Sequence, residues 1–312
     1  MMILLAVVLF FVGTILIIKG GDIFIDAASW MSDVTGISKA VIGATIVSLA
    51  TTSPEYFVSL IATIKGYNDL SIGNAVGSLI ANLGIAFALL AIFTPGKIKD
   101  RLFGVKGNIM IVSTIMLLLF CLNGTVSVIE GIVLLLLFAV STCVNIRYSK
   151  DGEEERERRQ TNSRDIAINV TKFIGGAAAI VFGSNLIVDN AQVIASTLGV
   201  SEAVIGLTVV AIGTSLPEIV TSIAAIVKKQ NALSIGNIIG ANILDATLIL
   251  STGAFISGGN LTVSPSTVRI DLPVSLLFMA VLPTAIGKRI YRWQGILMAG
   301  VYAAYLVFVT MF

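Results

Sequence analysis

The chain of 312 residues contains no histidine. That absence removes His-ligated zinc, Ser–His catalytic triads and imidazole proton relays. Charge is nearly as scarce. Asp, Glu, Lys and Arg make up 12% of the residues against 56% hydrophobic ones, and mean hydropathy is +0.98. This balance fits a polytopic membrane protein and not a soluble globule, so the lipid bilayer is an expected partner and nucleic acid is not. There are two cysteines, Cys121 and Cys143, both in apolar stretches and expected as buried thiols without a disulfide. No Lys or Arg precedes the apolar start, so the basic region of a signal peptide is missing and a retained first helix is expected.

What is there is a duplication. Shifted by 163 positions, Gly36–Ile80 lies on Gly199–Ile243 without a gap. Identical pairs include Gly36/Gly199, Gly43/Gly206, Thr51/Thr214, Pro54/Pro217, Glu55/Glu218, Ser59/Ser222 and the run Ser71-Ile-Gly-Asn74/Ser234-Ile-Gly-Asn237. A weaker match reaches back to Gly13/Gly176, Gly20/Gly183 and Asp26/Asp189. Duplication in an apolar chain is the mark of a transporter built from two structural repeats.

A spanning helix needs roughly 20 apolar residues. On that basis spans are expected over 2–31, 41–65, 71–94, 107–122, 127–147, 166–195, 204–227, 233–255, 270–286 and 293–312. The expected fold is therefore an all-α polytopic membrane protein, with ten transmembrane helices as two inverted five-helix repeats. The first repeat covers 1–147 (duplicated core about 36–94), and the second 166–312 (core about 199–255). The polar stretch 148–165, with Glu153-Glu-Glu-Arg-Glu-Arg-Arg159, reads as a solvated cytoplasmic linker too short for a folded regulatory domain. Sixteen of the twenty Lys and Arg fall in inside loops when both termini are external, with only Lys65 and Arg269 outside. An odd number of spans per repeat makes the second copy enter the membrane from the opposite side. The copies are then related by a pseudo-two-fold axis in the membrane plane, the architecture of alternating access.

Each copy carries a carboxylate where a bilayer makes one costly, which marks a functional site. Ser48-Leu-Ala-Thr51-Thr52-Ser53-Pro54-Glu55 is matched by Ala211-Ile-Gly-Thr214-Ser215-Leu-Pro217-Glu218. Glu55 lies roughly 21 Å along its span, at 1.5 Å per residue. Thr51 and Thr214 precede their glutamates by four residues and share a helix face with them. Pro54 and Pro217 have no N–H, which frees the carbonyls of Ala50 and Gly213 beside the hydroxyls. A plain proline kink would explain the prolines and hydroxyls, but not a carboxylate in both copies. The second motif runs from Ser71 through Gly73, Gly77 and Ser78 to Asn82, and again from Ser234 through Gly236, Gly240 and Ala241 to Asp245. Its glycines suit close backbone packing. Asn82 facing Asp245 in the alignment breaks the symmetry, since an amide in one copy is an acid in the other. Three carboxylates with hydroxyls, an amide and freed carbonyls form a hard-oxygen set, suited to Ca²⁺ and Na⁺. Asp26 and Asp189 read as interfacial hydrogen-bonding groups or as part of an ion entrance.

These motifs resemble the two repeats of the Na⁺/Ca²⁺ exchanger family, a branch of the cation/Ca²⁺ exchanger superfamily, here a prokaryotic member. The resemblance covers nearly the whole chain. It implies ten helices in inverted halves, and no enzyme activity or cofactor. It implies secondary antiport of Na⁺ against Ca²⁺ at a plasma membrane by a protein functional as a monomer, with Ca²⁺ and Na⁺ as its ions and H⁺ as the alternative counter-ion. By resemblance, Thr51, Thr52, Glu55, Ser78 and Asn82 line the ion sites from one repeat. Thr214, Ser215, Glu218 and Asp245 do so from the other, with carbonyls near Ser48 and Ala211 contributing. The first and sixth helices resemble a gating pair that slides against the core. Ala241 stands where prokaryotic relatives often carry Ser, so one Na⁺ site is expected to lack a hydroxyl. The proton-coupled branch typically carries Gly-Asn-Ala-x-Glu in its second helix, where this chain has Thr-Thr-Ser-Pro-Glu. A cation channel is disfavoured by the inverted repeat. An intramembrane protease would need a Ser/His or Gly-x-Gly-Asp arrangement, and there is no His.

Overall fold

A computed structural model describes residues 2–98, 103–147, 161–197, 213, 215–282 and 289–311. The architecture is helical. Helix α1 (Met2–Thr35) is followed by α2 (Lys39–Thr51), α3 (Ser53–Ile64) and α4 (Asn68–Phe93). Then come strand β1 (Gly96–Lys97), α5 (Phe103–Cys121), β2 (Thr125–Val126) and α6 (Val128–Arg147). The second half has α7 (Ser163–Thr197), α8 (Leu216–Val227), α9 (Asn231–Ile256) and β3 (Leu261–Thr262). After a wide turn at Thr267–Asp271 it closes with α10 (Leu272–Val281), β4 (Arg289–Ile290) and α11 (Arg292–Met311). Among the described residues seven helices are long and apolar enough to cross a membrane, and α2 and α8 are shorter apolar helices.

The expected span 41–65 is not one helix: it breaks at Thr52, between α2 and α3, and Pro54 sits in the first turn of α3, where its missing N–H costs nothing. The first ten residues or so of the expected span 204–227 lie outside the described residues, as do Ala211 and Thr214. Lys106, one of the sixteen Lys and Arg expected in inside loops because it precedes the span 107–122, is inside α5 and buried, since that helix begins at Phe103. Both cysteines are free, and Cys143 is exposed on α6, not buried as expected.

Burial sorts the helices. The most apolar stretch of α9 is 94% buried and that of α4 72%, against 22% for α1, so α4 and α9 form the centre. The main apolar cluster takes no buried residue from α1 or α7. Those two long helices lie along each other and meet the rest through a smaller cluster of Phe24, Ile25, Ala28, Ile42, Val47, Ile180, Ala225 and Leu233. Phe24 stacks on Phe173 at 4.5 Å.

The α1–α7 seam is made by glycine. A Cβ on Gly13 would stand 2.8 Å from the Gly183 carbonyl oxygen, and one on Gly20 3.0 Å from that of Gly176. Gly13 corresponds to Gly176 in the duplication and Gly20 to Gly183, so each glycine faces the counterpart of the other. That reciprocal contact is what a two-fold axis produces. The short strands obey the same rule. Gly96 and Lys97 pair antiparallel with Ile290 and Arg289, while Thr125 and Val126 pair with Thr262 and Leu261. β1 precedes α5 and β2 follows it, so one contact type occurs once at each end of that helix.

Close packing also holds α2 onto α9. A Cβ on Gly43 would collide with the Leu233 carbonyl, and one on Gly236 with the Ala40 carbonyl. A Cβ on Gly240 would come within 2.7 Å of the Ala44 carbonyl. Among the described residues Gly73 and Gly77 face no such backbone. Gly236→Val should therefore push α2 off α9, with a loss of about 1–3 kcal/mol and a lowered melting temperature of the detergent-solubilised protein. An unchanged transition would show that the two backbones can part without cost.

Candidate functional site

The break at Thr52 and the start of α8 meet at the centre of the molecule. On one side Thr52 interrupts the chain between α2 and α3, and on the other Ser215 precedes α8. Pro54 and Pro217 occupy equivalent places in the first turn of α3 and of α8. Glu55 and Glu218 follow one residue later, both buried, with Asp245 and Asn82 buried beside them. Glu55 lies within electrostatic reach of both Glu218 and Asp245.

The side chains join across the repeats. Thr52 Oγ1 donates to Glu218 Oε1 at 2.9 Å, and Ser215 Oγ to Ser78 Oγ at 3.1 Å. Asn82 Nδ2 donates to Asp245 Oδ2 at 3.5 Å, so the position at which an amide became an acid meets its own counterpart. At both positions the helix widens into a looser turn, Asn82–Phe87 in α4 and Asp245–Ile249 in α9. Wide turns of this kind cluster at functional sites, because they re-aim a side chain and loosen the backbone ladder.

What remains is a set of acceptors without donors. Both carboxylate oxygens of Glu55, Oε2 of Glu218, Oδ1 of Asp245 and Oδ1 of Asn82 are buried and, among the described residues, make no hydrogen bond. Buried polar atoms are rarely left so. Five oxygens from four side chains in one dry centre call for cations, and the donor set is hard oxygen throughout. Among the described residues no group of three acidic or thiol side chains is gathered tightly enough to hold a metal by itself. Hydroxyls and amide or backbone carbonyls are therefore needed to complete a coordination shell.

Most of the anticipated residues converge here: Thr52, Glu55, Ser78, Asn82, Ser215, Glu218 and Asp245. Thr51 is buried but does not hydrogen-bond Glu55; its hydroxyl lies 3.3 Å from the Ser48 carbonyl and 3.3 Å from Asn237 Oδ1. The Ser48 carbonyl also accepts from the Thr52 N–H at 2.8 Å, so it is already engaged. Thr214 and Ala211 lie outside the described residues. Asn237 and Asn74 were not singled out for the site. Asn74 Nδ2 donates to the Glu55 carbonyl at 3.2 Å and to Ser59 Oγ at 3.0 Å, bracing α3 on α4. Their signal was present, since both asparagines and Ser59/Ser222 are identical in the two copies.

Comparison with known proteins agrees. The profile of the family described as "Sodium/calcium exchanger protein" matches residues 5–147 and 168–311. An uncharacterized membrane protein of Methanocaldococcus jannaschii is 33% identical over 96% of this chain and 97% of its own length. The inner membrane protein YrbG of Escherichia coli is 31% identical over 97% and 96%. Sodium/calcium exchanger MaX1 of Methanosarcina acetivorans is 35% identical over 36% of this chain and 32% of its own. A solved structure of the sodium-calcium exchanger NCX_Mj, soaked with Na⁺ and Sr²⁺, superposes with a TM-score of 0.84 at 32% identity, covering 98% of both chains. The family profile spans both halves of the chain and the solved exchanger superposes over nearly all of it, so the protein is a multi-pass helical membrane ion exchanger and belongs to the sodium/calcium exchanger family.

Proposed function

We propose that the chain is a secondary antiporter that lets Na⁺ flow down its gradient and expels Ca²⁺. It works by alternating access between two inverted five-helix halves, 1–147 and 166–312, joined by the cytoplasmic linker 148–165. The observation that carries this reading is the cluster of buried oxygen acceptors contributed by both repeats. Ca²⁺ and Na⁺ both take oxygen ligands, and sites drawn from one set of carboxylates bind them exclusively. Thr51, Thr52, Glu55, Ser78 and Asn82 line the path from the first repeat, and Thr214, Ser215, Glu218 and Asp245 from the second, with the Ser48 and Ala211 carbonyls nearby. The site is complete within one chain, which fits action as a monomer in the plasma membrane with both termini outside. Sodium/calcium exchange by relatives of the kind named above, and the positive-inside bias, support the same assignment.

Exchange is obligatory on electrostatic grounds. With no cation bound, the switch would carry uncompensated carboxylates through a dry barrier, which is costly. With Na⁺ or Ca²⁺ bound, the acceptors are satisfied and the barrier falls. α1 and α7, outside the main core, are the elements free to shift.

Purified protein in Na⁺-loaded liposomes, diluted into Na⁺-free buffer, should take up radioactive Ca²⁺, and a protonophore should leave the uptake unchanged. Uptake driven only by a pH gradient would assign proton coupling instead. Glu55→Gln or Glu218→Gln should lower Ca²⁺ flux by at least about thirtyfold while the protein stays monodisperse, since each removes a buried negative charge that would balance the bound cation. Near-normal flux in either variant would remove these carboxylates from the ion path. Ala241→Ser places a hydroxyl one turn before Asp245 and should lower the half-saturating Na⁺ concentration about three- to tenfold. An unchanged Na⁺ dependence would show that another oxygen already fills that position.

A further inference from the structure

The gating helices are tied to the core by charge at one end. Lys228 Nζ lies 2.9 Å from Asp26 Oδ1 and 3.8 Å from Asp22 Oδ1, joining the turn after α8 to α1. At the same corner Lys39 Nζ donates to Gln230 Oε1 at 2.8 Å and stands 3.8 Å from Asp33 Oδ1. Both partners of the first pair have repeat counterparts: Asp26 matches Asp189, and Lys228 matches Lys65. Asp189 lies on α7, and Lys65 in the turn after α3. Both are exposed, and among the described residues neither forms an ion pair.

The two turns are copies in backbone detail. Lys65 has φ −82° and ψ 0°, and Lys228 has φ −82° and ψ 6°. The next residue is left-handed in each, Gly66 at φ 80° and Lys229 at φ 57°. The amides of residues 65–67 donate to the carbonyls of Ile61, Thr63 and Ala62, and those of residues 228–230 to Ala224, Ile226 and Ala225, the same pattern displaced by one repeat. Lys229 holds that conformation without the freedom of glycine. The turn that presents Lys65 therefore presents it as Lys228 is presented now.

We infer that Lys228 with Asp22 and Asp26, and Lys65 with Asp189, are two-fold related latches that close alternately, each holding the α1–α7 pair at one limit of its slide. The inference rests on the alternating-access reading above. This structure has the first latch closed and the second open. The positive-inside bias puts the closed one at the cytoplasmic face and the open one outside. A half-exposed ion pair is weak by itself. It suffices here because, among the described residues, the buried apolar contact of α1 and α7 with the core is a small cluster, and a state equilibrium moves by whatever differs between the states. The latches are also unequal: Asp22 corresponds to neutral Asn185, so the cytoplasmic latch has two acids and the outer one has a single acid. The resting protein is thereby biased toward the conformation seen here.

The test is a spin–spin distance measurement in lipid nanodiscs between labels at Tyr67 and Phe182, both exposed, with Cys121→Ala and Cys143→Ser as background. Two distance populations are expected. Lys228→Gln should change their ratio at least threefold in one direction, and Lys65→Gln should change it in the other. Lys228→Arg should leave it as in the parent. In an Asp22→Asn background, where Lys228→Gln shifts the ratio from the Asp22→Asn value, the exchanged pair Asp26→Lys with Lys228→Asp should restore that Asp22→Asn value. Shifts in the same direction, no shift, a single unchanging population, or failure of the exchanged pair to restore the ratio would each overturn the latches. Na⁺-driven Ca²⁺ uptake by the parent separates the two levels: exchange without the reciprocal shifts overturns the latches alone, whereas absence of exchange overturns both the latches and the antiport.

Discussion

The constraint on which the molecule depends is the cost of carboxylate oxygens in a place without water. Glu55, Glu218 and Asp245 are buried, and their oxygens are only partly met by protein donors. An interior built that way is tolerable when a cation supplies what the donors do not, or when the chain does not move the charge across the barrier. Both conditions describe transport. Surrounding features serve that centre. The prolines place a helix start beside each glutamate without losing a bond. The wide turns begin at Asn82 and Asp245, and Asn74 braces α3 against α4 behind Glu55.

The second organising element is the two-fold relation between the copies. It appears as reciprocal contacts: Gly13 on Gly183 and Gly20 on Gly176, β1 on β4 and β2 on β3, Asn82 on Asp245. Such contacts give one sequence pattern two equivalent environments. Where the copies differ, a specific inequality results. Asp245 in place of a second amide puts a third negative charge at the centre. Asp22 in place of a second asparagine gives α1 an additional acid beside Lys228. The folded protein is therefore close to symmetric in architecture and asymmetric in electrostatics.

Helix packing separates the α1–α7 pair from the central helices. Apolar burial alone gives little preference between helices in lipid, so close backbone approach and polar contacts decide who pairs with whom. Gly43, Gly236 and Gly240 weld α2 to α9, backbone on backbone. The α1–α7 seam uses the same device internally, while its boundary with the core is a small apolar cluster and a few ion pairs. Among the described residues, close backbone contact is thus concentrated around the site and within the α1–α7 pair, and the boundary between them is made by the smaller cluster and ion pairs.

Much of this was legible in the residues. The absence of histidine and the scarcity of charge set the class. The 163-residue repeat pointed to the two-fold design, and a proline–glutamate pair in each copy marked the carboxylates, while the break at Thr52 within the expected span 41–65 did not show in hydropathy. Those are local signals, carried by residue type and spacing, and a sequence records them directly. The tertiary structure decided which atoms meet. Thr52 reaches the glutamate of the other repeat, Thr51 turns to Asn237, Lys228 finds Asp26, and Lys106 and Cys143 lie where hydropathy did not put them. These depend on the register and rotation of helices far apart in the chain. That register is fixed by packing, by a glycine fitting under a particular carbonyl, and no periodicity within one segment encodes it.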